Sequence, residues 1–121
     1  MSNSEKINVY VYTGLPDEKK DEFVARVKET DPELIISVVS ERLGITVDQI
    51  KSNTRKRDIV EARFIAVALI MIANPEFTLK KVGEIFNRDH STIVYARDNF
   101  NHLIKTNKVF QDKVALVKQR V

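Results

Sequence analysis

Four consecutive polar side chains, Asp89, His90, Ser91 and Thr92, follow Arg88 and lead into an apolar-periodic run, and here the sequence concentrates groups able to do chemistry. A carboxylate accepts from a cytosine amino group, hydroxyls pair with either polarity, and a threonine methyl packs on thymine, so the set suits base edges in the major groove. If a helix begins here, its free N–H groups and positive dipole end attract an anion, with Arg88 beside them as a charged donor. The same residue types also admit a plainer reading, with Asp89 as an N-cap and Ser91 and Thr92 in the first turn and no nucleic acid involved. A second cluster, Arg55-Lys56-Arg57, places three cations in a row where folding does not need them. Catalysis fits poorly. Asp89-His90 has no third group to orient the imidazole, the chain has no cysteine, and His102 lies twelve positions further along the same expected helix, a span of roughly 18 Å and too far to share a metal. The expectation is a protein that is not an enzyme and needs no metal, cofactor or nucleotide.

The elements that must position these groups can be read from caps and periodicity. Residues 79–86 predict a short helix capped by Thr78, with Val82, Ile85 and Phe86 inward and Gly83 allowing a close approach of the neighbouring helix. Asn87-Arg88-Asp89 predicts a tight turn into a longer helix through about Ile104, with Ile93, Ala96, Phe100 and Leu103 as its buried stripe. Two helices across one tight turn form a helix-turn-helix, whose second helix enters the groove with its opening turn. Upstream, Thr30 and Glu33 have capping-box spacing with Pro32 in the first turn, and a helix should run to Leu43 and stop at Gly44. Thr46 and Gln49 repeat the box before a brief helical turn that brings Val47 and Ile50 inward, and residues 52–57 read as a loop. Ile59, Ala62, Ala66, Leu69, Ile70 and Ala73 mark a central helix that Asn74-Pro75 ends. Phe110, Val114, Val117 and Val121 predict a last amphipathic helix, packed on the domain or on a second subunit. Residues 7–12 alternate as a short strand or extended arm, and residues 17–29 predict a short amphipathic helix.

With 121 residues the chain has one domain's worth of core. We read 1–29 as an N-terminal arm and 30–121 as the folded domain. No apolar run approaches the roughly 18 residues of a membrane span, and the first residues lack the basic and apolar blocks of a secretory signal. A cytoplasmic, nucleoid-associated location without membrane partners is expected. Charge is uneven: residues 1–50 carry 6 basic and 10 acidic side chains, residues 51–121 carry 14 and 7. A polyanion is attracted to the second part and repelled by the first.

The run from Val82 to Ala96, Val-Gly-Glu-Ile-Phe-Asn-Arg-Asp-His-Ser-Thr-Ile-Val-Tyr-Ala, resembles the signature of the DnaA C-terminal DNA-binding domain. Arg55-Lys56-Arg57-Asp58-Ile59-Val60-Glu61-Ala62-Arg63 is similar to that family's basic loop and following helix, so the resemblance covers roughly residues 31–104. It implies an all-α, Trp-repressor-like fold with a helix-turn-helix, binding double-stranded DNA at a DnaA-box-like site in replication origins and some promoters. It further implies that Arg55 enters the minor groove and that Asp89, His90, Ser91 and Thr92 read the major groove. Leu79 and Lys80 match positions against the DNA, and Lys56, Arg57, Arg63, Arg88 and Tyr95 fall with the DNA-facing residues, the arginines near phosphates.

Some positions depart from the family pattern. Met71 stands where many members have a basic residue, Phe64 where a polar one is common, and Asn99-Phe100 where a basic-aliphatic pair is usual. No phosphate-binding loop ending in Gly-Lys-Ser or Gly-Lys-Thr occurs, so the reading is a stand-alone relative without the initiator's ATPase. Such a protein would act in replication initiation or its regulation, with the acidic N-terminal arm as a contact for another replication protein. Two alternatives stay open: a transcriptional regulator using the same fold, or a helical protein-interaction module that no longer binds DNA.

Overall fold

A computed structural model describes residues 30–119 and 121, and the expected arm, strand and first helix of residues 1–29 lie outside the described residues. Among the described residues there are six helices and no strand: α1 (Pro32–Leu43), α2 (Val47–Lys51), α3 (Arg57–Ala73), α4 (Leu79–Phe86), α5 (His90–Thr106) and α6 (Lys108–Lys118). None is long and apolar enough to cross a membrane.

Helix α3 is the centre. From Glu61 to Ile72 every residue except Arg63 is buried, because α1, α2, α4 and α5 all pack against it. Ile65, Leu69 and Ile70 are fully enclosed, each worth roughly 1.5–3 kcal/mol of apolar burial. Helix α6 closes the remaining side by packing on α1 and α5, with Phe110 edge-on to Phe100 at 5.5 Å and Val114, Val117 and Val121 buried. The C-terminal stripe is therefore covered within the chain.

The caps explain most boundaries. Thr46 and Gln49 form the reciprocal capping box, each side chain taking the other's backbone N–H. Gly44 ends α1 in the left-handed region, with φ 70°. Asn107 closes α5 with its N–H and opens α6 with its side chain, which accepts from the Phe110 N–H. Three expectations need correction. The N-cap of α1 is Asp31, whose carboxylate accepts from the Glu33 N–H. The Thr30–Glu33 box gives way because Asp31 is the residue immediately before Pro32 and bonds two positions on. Arg57 is the first residue of α3, so only Arg55 and Lys56 of the cationic run belong to the loop. Helix α5 continues past Ile104 to Thr106, where Asn107 supplies the stop.

Candidate nucleic-acid interface

The α4–α5 turn is built from local rules. Asn87 has φ 56°, a left-handed conformation that asparagine tolerates. Its N–H donates to Glu84 O and the Arg88 N–H donates to Gly83 O at 2.8 Å, the paired closure of a Schellman motif. Gly83 makes that closure possible: a Cβ there would lie 2.5 Å from the Arg88 carbonyl oxygen. The close approach is thus to the turn backbone, and it brings the start of α5 tightly against α4.

At the tip, Asp89 caps α5. One carboxylate oxygen, Oδ1, accepts from the Thr92 N–H at 3.1 Å, the Ser91 hydroxyl at 2.9 Å and the Thr92 hydroxyl at 3.1 Å. The Thr92 N–H and then the two hydroxyls hold the Asp89 carboxyl below the usual carboxylate range. Asp89, His90 and Ser91 are exposed, and Thr92 is half-buried. The capping role and an outward-facing role are compatible, because Oδ2 has no part in the cap.

Beside the tip, a concavity of about 750 Å³ is lined by Ser52, Asn53, Thr54 and Arg55 of the α2–α3 loop, by Arg63 and Phe64 of α3, and by Arg88, Thr92 and Tyr95. The cationic loop and the first turns of α5 therefore border one space, although more than thirty positions separate them in sequence. Tyr95 is 62% exposed and meets Phe64 edge-on at 5.9 Å. Phe64, set apart in the sequence only as a departure from the family pattern, is this tyrosine's ring contact. On the other flank, Thr78, Leu79, Lys80, Glu84, Arg88, Asp89 and His90 line a second hollow of about 600 Å³. Lys80 is exposed, while Leu79 packs partly against the core.

The remaining cations divide by partner. Arg55 and Lys56 are exposed. Arg57 is 77% exposed but gives its Nε to Glu61 at 3.0 Å. Arg63 and Arg88 turn at least part of each guanidinium inward, onto carbonyls of α2 and the following loop. Burial, with repulsion from Arg88 added, shifts the Arg63 pKa downward. No motif signals these carbonyl contacts, since backbone acceptors leave no mark in a sequence. Glu61 went unnoticed for a different reason. It is a buried carboxylate bridging Arg57 and Lys113 of α6, and its spacing of four from Arg57 was the available clue. Among the described residues no cluster of three His, Cys, Asp or Glu side chains is placed to hold a metal ion.

A short support helix, a Schellman turn and a second helix with its polar first turn exposed define the class: an all-helical, DNA-binding helix-turn-helix domain. Comparison with known proteins narrows it. The family model described as "Bacterial dnaA protein helix-turn-helix" matches residues 32–99, and the chain belongs to that family. The match takes in α1 to α4 and the first part of α5. Relatives include the chromosomal replication initiator protein DnaA of Gloeothece citriformis, 32% identical over 94 residues covering 77% of this chain and 20% of that protein. The protein of the same name from Microcystis aeruginosa is 32% identical over 93 residues, 76% of this chain and 21% of that one. That of Synechococcus sp. (strain JA-2-3B'a(2-13)) is 33% identical over 95 residues, 78% and 20% respectively. The chain thus spans about a fifth of the length of the curated relatives it matches. No solved structure matches.

Proposed function

We propose that this chain recognises a DnaA-box-like site in double-stranded DNA and acts in replication initiation or its regulation. The opening turn of α5 enters the major groove, where His90, Ser91, Thr92 and the free Asp89 Oδ2 face base edges. Arg55 enters the adjacent minor groove, reading its width and A·T character. Lys56, Arg57, Lys80 and the outward edge of Arg88 meet phosphates, Leu79 lies against the sugar-phosphate backbone, and Tyr95 stands at the groove wall. The observation that supports this most is one concavity bordered by Arg55 of the α2–α3 loop and by Arg88, Thr92 and Tyr95 at the start of α5. A loop arginine and a helix tip sharing one space can straddle a strand of duplex and enter both of its grooves.

The hydrogen bonds within the tip add a chemical bias. Both hydroxyl protons point at Asp89, so Ser91 and Thr92 offer lone pairs and a methyl group outward, and Oδ2 offers a further acceptor. Such a surface favours exocyclic amino groups and thymine methyls over the acceptor-only edge of guanine.

Selection of bound duplexes from a random pool at stated salt tests the reading. An enriched origin-like box supports it, a different enriched sequence makes the chain a regulator with its own site, and no enrichment overturns sequence-selective binding.

A further inference from the structure

Helix α2 is only five residues long; Gln49 O takes the Ser52 N–H and hydroxyl, whereas Ile50 O and Lys51 O have no backbone donor. Two arginines from distant parts of the chain supply them. Arg63, in the middle of α3, donates Nε to Ile50 O at 2.7 Å and Nη2 to Ser52 O at 2.8 Å, with Gln49 O and Thr54 O further off at 3.4 Å. Arg88, from the turn between α4 and α5, donates Nη2 to the intervening carbonyl, Lys51 O, at 3.0 Å. One guanidinium thus holds the end of α2 and the loop up to the residue before Arg55, and the other ties the helix-turn-helix to the same place. Arg55 itself has no hydrogen bond or ion pair to any described residue, so its backbone sets where it stands.

We infer that Arg63 is a positioning residue for Arg55. Through the α2 carbonyls, Arg63 and Arg88 together fix the offset between the loop that reads the minor groove and the helix tip that reads the major groove. This rests on the DNA-binding reading above, and it gives Arg63 a role other than phosphate contact. The two roles differ in what lysine can do. A phosphate accepts a lysine in place of arginine as a point charge, whereas an ammonium cannot spread across carbonyls that a planar fork meets together.

The test compares the wild-type chain, Arg63→Lys, Arg55→Ala and the double variant. Binding is measured to a duplex enriched from the random pool and to the same duplex with its A·T-rich flank changed to G·C. Amide-nitrogen relaxation of residues 53–56 is recorded on the free proteins, with thermal melting as the check on folding. Positioning predicts that Arg63→Lys still melts cooperatively, at a somewhat lower temperature, loosens residues 53–56, loses the A·T preference and binds roughly tenfold more weakly. The double variant should bind no worse than Arg55→Ala alone. Retained affinity and A·T preference in Arg63→Lys, or losses that multiply in the double variant, would overturn the inference in favour of a phosphate contact. If the wild-type chain enriches no duplex, the DNA reading has failed and relaxation alone decides whether Arg63 holds the loop. Unchanged relaxation in Arg63→Lys then overturns that as well.

Discussion

At the tip of α5, Asp89 bears out the capping reading and leaves the base-reading one open to test. Its Oδ1 caps the helix and Oδ2 takes no part in the cap, so the proposed base-reading role does not compete with capping. His90 has no capping role and is exposed. His90→Ala should therefore leave the melting temperature unchanged and weaken specific binding by about 1–3 kcal/mol, the worth of one good base contact. Titration against the selected duplex and a scrambled one checks this, and equal preference in wild type and variant would remove His90 from the major groove. The exposed Lys80 should behave otherwise: Lys80→Ala lowers the affinity for both duplexes alike and reduces the salt slope by about one. The cap at the tip was legible because capping depends on side-chain identity and spacing. The direction of the hydroxyl protons was not, because it depends on which acceptor the folded turn brings near.

Among the elements, the turn between α4 and α5 carries the sharpest steric demand. Gly83→Ala puts a methyl group against the Arg88 carbonyl, and the backbone shift should cost about 1–3 kcal/mol of stability. Asn87→Gly relieves a left-handed residue and should stabilise by up to about 1 kcal/mol with binding retained. Denaturant unfolding of both variants reads the opposed signs. The docking of α6 should be sensitive to acid. Burial raises the Glu61 pKa, but hydrogen bonds from Lys113 and Arg57 and their positive charges outweigh it, leaving the carboxyl below its ordinary value. A depressed folded-state pKa means the stabilisation is complete above the unfolded value, near 4.3, and is lost as pH falls through the lower folded one. Wild-type stability should thus drop more steeply than that of Glu61→Gln below about pH 4, as denaturant midpoints across that range would show. Periodicity and caps made most of α1 to α6 readable. Asp31 displaced Thr30 because two adjacent residues could each cap, and sequence spacing cannot rank them. The Glu61–Lys113 bridge spans 52 positions, beyond the reach of any local pattern.

For the molecule as a whole, the basic excess of residues 51–121 becomes a directed surface only once the fold sets the α2–α3 loop beside α5. The cations proposed to meet phosphates, Lys56, Arg57, Lys80 and Arg88, predict a log–log salt dependence with a slope of about −3 to −4. A slope near zero would mean that they do not meet phosphates. If the α2–α3 loop and the α5 tip read DNA as proposed, their anchoring on the end of α2 bears on what the DNA itself must look like. One base pair inserted between the two contacted stretches lengthens the duplex by about 3.4 Å and turns it by roughly a tenth of a revolution. A reader whose halves are tied to neighbouring carbonyls of one short segment has little slack to follow that screw, so its binding sites should tolerate changed letters better than changed spacing.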